Sequence, residues 1–410
     1  MRTCAAGQAG AAHKITAGGP VVHIITRLEP GGSTRNVIDS AGYQAADREV
    51  VVITGPYNGK GRTAPEPPKN ARYLELPRLV REISPLNDLR TLLELKKVLS
   101  ALRPAIIHTH TAKAGILGRW AAWLYNLGKK KERAVVIHTP HGHVFYGYFG
   151  PFKTFIFALA ERLTARVTDH FIALTEGERS ESIAHGLGPA AKWVVIHSGV
   201  RFDDRELTRA GRDPAMAGDE LTITVVARLE PVKGVEYFIR AAAELLKSRP
   251  KKKLRYLVVG DGPLLGGLKA LAAALGVEKI VFAGFQQDVF PCLAASDIYV
   301  QPSLNEAMCR AVLEAQYMGL PVVASQVCGL RDTVKEGRTG LLAPPGDARA
   351  LALALEKLID NADLRSSLGK AARLGVLEKD FTGYPRFSTE SMNIRLQNFY
   401  NKALGRHGTF

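Results

Sequence analysis

Glu306 and Glu314 stand eight positions apart in the run from Pro302 to Val323. On one continuous helix that offset spans about 12 Å along the axis, close to the reach from sugar to ribose in an extended nucleotide sugar. The residues before Glu306 form a β-like run, and Gly319-Leu320-Pro321-Val322-Val323 reads as a turn into a strand. The pair therefore brackets a loop entering a helix, with Asn305, Arg310 and Ala311 at its start. A helix start offers free backbone N–H groups and a partial positive charge, which suits a diphosphate. By spacing alone, two solvated helix residues are the commoner reading; the flanking pattern is what favours a site.

A second set of charges supports it. Arg228 and Lys233 lie in Val226–Gly234, which follows a strand and opens a helix. Two fixed cations there would meet the charge that builds on a leaving diphosphate, although surface charges at a turn have the same pattern. Gly31 and Gly32 follow the first strand, where the lack of a Cβ lets backbone N–H groups approach a phosphate or sugar. Their spacing is not the dinucleotide fingerprint, and a plain tight turn remains open. Gly260 and the Gly284-Phe285 pair mark two further strand-end loops suited to close backbone contact, with unliganded turns as the alternative.

Histidines crowd two neighbouring strand ends, His108 and His110 on one, His138, His141 and His143 on the next. Alternation puts His108 and His110 on one face of their strand. That pair supplies at most two metal ligands, and neither His-Glu-x-x-His nor Asp-x-Asp occurs. The expectation is therefore no metal and no cofactor beyond a substrate. Histidines simply hydrogen-bonded at strand ends are the competing reading.

Seven aromatics fall within residues 145–157, just past His141. They could fill the core, line an acceptor groove, or form a membrane-dipping edge with Lys129, Lys130, Lys131, Arg133 and Lys153 meeting anionic lipid. The chain's 410 residues carry a formal net charge of +16. Residues 1–205 hold 28 Lys/Arg against 17 Asp/Glu, the remainder 27 against 22, so the first half is the more basic. Such a balance favours an anionic partner. A nucleic-acid binder is disfavoured, because the cations are dispersed and no aromatic-plus-basic recognition signature occurs. No apolar run reaches membrane-spanning length. The four cysteines have neither disulfide-framework nor metal-finger spacing, which points to a reducing cytosol.

The elements that must hold these residues alternate. Strands are expected at Val21–Thr26, Val50–Thr54, Ile106–His110, Ala134–His138, His170–Leu174 and Trp193–His197, with helices between them. After a polar break near 201–220, strands recur at Thr222–Ala227, Arg255–Val259, Ile280–Ala283, Ile298–Gln301 and Val322–Ser325. Alternation of this kind implies parallel sheets covered on both faces, and 410 residues exceed one core. The division is a disordered leader (1–19), a Rossmann-like domain (20–205), a second (206–383), and a C-terminal helix (384–410, helical from about Tyr384 to Leu404). This is an α/β architecture of two doubly wound units facing across a cleft.

Taken in order, Gly31-Gly32, His108/His110, His141, Arg228/Lys233 and Glu306/Glu314 resemble the retaining glycosyltransferases of family 4, which have the GT-B fold. Within them the chain is similar to members that extend bacterial surface glycans. The resemblance implies that the C-terminal helix returns to the first domain. It also implies a nucleotide-sugar donor, favoured as UDP-linked, and a glycan or lipid-linked acceptor at the cytosolic face of a membrane. Arg228 and Lys233 would hold the pyrophosphate, Glu306 the sugar hydroxyls and Glu314 the ribose. His110 or His141 would face the sugar or acceptor, and the Gly260 and Gly284-Phe285 loops the base. Ala307-Met308-Cys309 departs from the Gly-Phe-Gly that many members carry. An epimerase of the same fold, which acts on a nucleotide sugar without transfer, is the alternative.

Overall fold

The computed structural model describes residues 18–57, 66–129, 131–142, 151–202 and 220–405. Most of the leader, Lys130, His143, the aromatics at 145–150 and most of the polar break lie outside them.

Two wholly parallel sheets form. The first holds β1 (Val21–Ile25), β2 (Val50–Thr54), β3 (Arg72–Glu75), β4 (Ile106–His110), β5 (Val135–Thr139), β6 (His170–Ala173) and β7 (Trp193–Val195), in the order β3-β2-β1-β4-β5-β6-β7. The second holds β8 (Glu220–Val226), β9 (Lys253–Val259), β10 (Ile280–Gly284), β11 (Ile298–Gln301), β12 (Val322–Ser325) and β13 (Gly340–Ala343), in the order β10-β9-β8-β11-β12-β13. Runs such as Val-Val-Val-Ile-Thr in β2 are buried at every position, as a strand covered on both faces requires. Helices α1 (Gly32–Gln44), α2 (Pro85–Leu102), α3 (Ala112–Asn126), α4 (Pro151–Thr164) and α5 (Glu176–Ala184) cover the first sheet.

Strand order reverses between β1 and β4 and between β8 and β11. Those are the switch points where ligands bind in such sheets, outside the carboxyl ends. The loops carrying Gly31-Gly32, Arg228-Lys233 and Glu306 leave three of these strands, and His110 ends the fourth.

Two strands escape the sequence pattern. β3 is an edge with exposed ends and no apolar run, and β13 is only Gly-Leu-Leu-Ala. The helix Ala362–Leu377 likewise lies outside the strand–helix alternation read from the sequence. β5 runs one residue later than the pattern indicates, and so brings Thr139 beside His110. The last helix starts at Thr389 rather than near Tyr384, because the Ser388 side chain caps it and Pro385 precedes it in a turn. This helix returns to the first domain: Met392, Leu396 and Tyr400 pack with Val21, Ile106 and Ile137. No helix among the described residues is long and apolar enough to cross a membrane.

Candidate active site between the two sheets

The second-domain half is set by a close backbone approach. Gly234 has φ 61°, and a Cβ there would lie 2.1 Å from the Pro302 carbonyl oxygen, so only glycine fits. With Leu304 N–H donating to Val232 O at 2.8 Å, the 228–234 and 302–306 loops are pressed together. Lys233 Nζ thereby reaches Glu306 Oε1 at 2.7 Å. Ser303 Oγ donates to the same oxygen at 2.8 Å, and Gln301 and Tyr299 continue the chain behind it. Glu306 is buried and its carboxylate position is fixed.

Arg310 opens the following helix, Arg310–Tyr317, and Glu314 lies one turn on. Burial draws the Arg310 guanidinium below its usual value, while Glu314 and Asp39 act the other way. Ala311 is half-buried beside it, and Asn305 is buried next to Glu306. Arg228 is not drawn into this cluster: it is 42% exposed and pairs with Glu230 at 3.2 Å. Gly260 and Gly284 meet on the adjoining strand ends, where Gly260 N–H donates to Gly284 O at 2.7 Å. Gly260, at φ 132°, has no room for a Cβ beside Ala227 O. Phe285 stands half exposed next to them.

The first domain faces the 305–310 loop directly. A Cβ on Gly32 would be 3.6 Å from Arg310 Cδ, and one on Gly142 3.8 Å from Ala307 Cβ. Gly31, with extended backbone, caps α1. Thr175 Oγ1 donates to Ala307 O at 2.9 Å, Ser198 N–H meets Met308 Sδ at 3.3 Å, and Arg310 Nη1 donates to Gly199 O. Ala307, Met308 and Cys309 are all buried. The departure from Gly-Phe-Gly thus places two side chains, Ala307 and Met308, against the first domain.

The histidines form a buried chain. His141 Nε2 meets His110 Nδ1 at 3.0 Å, His110 Nε2 meets His23 Nδ1 at 3.0 Å, and His23 Nε2 meets Gln44 Oε1 at 2.9 Å. With the Gln44 carbonyl accepting, each ring donates from Nε2 and accepts at Nδ1, which makes His141 Nδ1 the acceptor end of the chain. Beside it, His108 bonds Tyr400 OH at 2.6 Å and Thr139 Oγ1 at 2.8 Å. Burial lowers the whole set, His23 to about 4 and His141 to about 3, so all are neutral near pH 7. His23, His108 and His110 have the proximity of a metal site. All six of their ring nitrogens have protein partners, however, which a bound ion would have to displace.

Two family models match this chain: "Glycosyl transferase 4-like domain" over residues 31–199 and "Glycosyl transferases group 1" over 210–375. A curated Escherichia coli protein, UDP-Gal:alpha-D-GlcNAc-diphosphoundecaprenol alpha-1,3-galactosyltransferase, is 30% identical over 299 residues, covering 71% of this chain and 76% of the relative. The chain is a family 4 glycosyltransferase. A Staphylococcus aureus relative named capsular polysaccharide biosynthesis glycosyltransferase CapM is 26% identical, covering 79% of this chain and 83% of its own. Among solved structures, sucrose-phosphate synthase of Thermosynechococcus elongatus superposes with TM-score 0.76 at 21% identity, covering 94% and 99% of the two chains. Anabaena HepE in complex with UDP-glucose gives 0.72 at 20%, covering 94% and 100%. At those identities the likeness concerns the GT-B fold.

Several residues of this glycosyltransferase's site were not foreseen. His23 is a polar residue in the apolar run Val-Val-His-Ile-Ile, and that oddity was a readable signal. Gln44 and Tyr400 come from distant elements and left none. Glu178, fully buried on α5, accepts from Gly142 N–H at 2.8 Å and Leu174 N–H at 2.6 Å. It anchors the loop that carries His141, whose φ is 58°. Burial pushes its carboxyl up to about 7 against those two bonds.

Proposed function

We propose that this glycosyltransferase moves a sugar, with retention and without a metal ion, from a UDP-linked donor to a lipid-linked or glycan acceptor at the cytosolic face of a membrane. The Lys233–Glu306 pair at the mouth of the 302–310 loop, opposite Gly31-Gly32 and His141, carries this reading. Glu306 Oε1 is taken by Lys233 and Ser303, so its other oxygen is the one to accept a sugar hydroxyl. When a diphosphate arrives, Lys233 moves from the carboxylate toward it, and exposed Arg228 swings in from Glu230. The first N–H groups of the helix at Arg310 and Ala311 add to that charge. Glu314, one turn on, would hold the ribose. His141 Nδ1, the acceptor end of the histidine chain, would meet a hydroxyl of the sugar or acceptor. The E. coli relative is named for a UDP-galactose donor and a diphosphoundecaprenol acceptor, which supports the donor and acceptor classes.

The epimerase reading is without support, since the relatives are named transferases. The test is UDP release from a panel of UDP-sugars with and without undecaprenyl-diphosphate sugars, run with and without EDTA. Acceptor-dependent, chelator-insensitive release is expected. Release that needs no acceptor, or stops on chelation, counts against the proposal.

A further inference from the structure

Helix α4 is built inside out. Phe152, Phe155, Ile156, Leu159 and Leu163 recur at positions i, i+3, i+4, i+7 and i+11, one stripe of a helix, and all five are exposed, Phe152 by 76%. The face turned inward is polar instead. Glu161 is buried and accepts from Arg119, itself fully buried, at 2.6 Å, and Thr164 Oγ1 accepts from Trp120 Nε1 at 3.0 Å. A helix that places its ion pair inside and its apolar stripe outside gains nothing from that stripe in water.

Helix α2 repeats the pattern in milder form. Leu95, Val98 and Leu99 enter the core, while Leu86, Leu89 and Leu93 make a second, outward stripe. Between them α3 exposes Trp123. Eleven of the nineteen exposed large hydrophobic residues among the described ones fall on or beside these three consecutive helices, so the patch is not the ordinary scatter of surface apolar groups.

We infer that the α2–α3–α4 face is a monotopic docking surface for a bilayer carrying anionic headgroups, an inference that rests on the proposed membrane-borne acceptor. Charge decides the occupant. The three helices hold three acids, Asp88, Glu94 and Glu161, and none is exposed. Asp88 pairs with Lys113 at 2.7 Å, Glu94 lies 3.8 Å from Arg78, and Glu161 is buried. The exposed charges among the described side chains are cations: Arg90, Lys96 and Lys97 on α2, Arg162 on α4. A second copy of the chain would set these cations against their equivalents, whereas anionic lipid complements them. The face also adjoins the site. α4 begins nine residues past Gly142 of the His141 loop, and Lys113 at the head of α3 ties α2 to the carboxyl edge of the sheet. A lipid-linked acceptor would therefore enter the cleft from the surface that the helices engage.

Cosedimentation with vesicles of phosphatidylglycerol mixed with phosphatidylcholine tests this, against phosphatidylcholine alone. Binding to the anionic vesicles is expected, weakened but not abolished by salt, because apolar burial and charge both contribute. The triple change Phe155→Gln, Ile156→Gln and Leu159→Gln should lower vesicle partition at least about tenfold. It should leave thermal protection by UDP as in wild type, showing that fold and donor site are intact. Wild type that ignores anionic vesicles, or a triple variant that binds them equally well, overturns the inference. So does self-association in solution that the triple variant abolishes while vesicle binding is absent. Vesicle binding without UDP protection in wild type sustains the face and defeats the donor reading.

Discussion

At the scale of single residues, the two site cations are not equivalent. Lys233 is 2.7 Å from a buried carboxylate, while Arg228 is 42% exposed and paired with Glu230. Exposed pairs contribute little to stability, whereas removing one partner of a buried pair strands the other charge. Both Arg228→Ala and Lys233→Ala should lower kcat by about 10²–10³-fold. Only Lys233→Ala should also lower Tm, because Glu306 is left uncompensated. Steady-state UDP release and thermal melts check the pair, and unchanged turnover in both variants would remove the diphosphate role. Glu178 makes a pH prediction. Its folded carboxyl is raised to about 7, above the ordinary 4.5. The folded state therefore holds the extra proton between those values, and this group's stability contribution is lost as pH rises through about 7. Glu178→Gln, which cannot ionise, should gain stability relative to wild type from pH 5 to pH 8, by up to about 3 kcal/mol. The same change weakens the hold on Gly142 N–H, so kcat should fall while the donor KM stays put. Parallel urea titrations across pH and a kcat-against-KM comparison measure both effects.

At the scale of elements, the site depends on how tightly two loops lie together. The turn after Lys233 needs φ 61° and has Pro302 O where a Cβ would sit. Gly234→Ala should therefore separate the 228–234 loop from the 302–306 loop and lengthen the Lys233–Glu306 contact. The expected result is a Tm loss together with weakened thermal protection by UDP. A variant as stable and as well protected as wild type would show that the close approach is dispensable. Much of this level was legible beforehand. Apolar runs announced β2 and β12, β-rich runs broken by histidines announced β1 and β4, and Lys233-Gly234 announced a turn opening a helix. β3 and β13 were not legible, because an edge strand with exposed ends and a four-residue strand carry too little apolar signal to stand out.

At the scale of the molecule, the C-terminal helix completes the first domain from across the fold. It crosses back where Val200 and Ser388 run side by side, and it ends with Tyr400 OH 2.6 Å from His108 Nδ1. Tyr400→Phe would leave a buried ring nitrogen without its partner, a loss of about 1–3 kcal/mol. Urea unfolding should register that, with donor protection retained. An unchanged midpoint would mean that the helix is held by its apolar contacts alone.

The sequence by itself determined the parallel architecture, its two doubly wound units, and the closeness along the chain of Arg228 to Lys233 and of Glu306 to Glu314. Those follow from local periodicity and from motifs whose members are close along the chain. Only the tertiary structure decided that His23, Gln44 and Tyr400 join the histidines. It alone showed Glu178 beneath the His141 loop, and Ala307 and Met308 against the first domain. These contacts link residues tens to hundreds of positions apart, and burial by distant elements sets their protonation. No local pattern encodes that, because the shape of the packed molecule determines which side chains exclude water from one another.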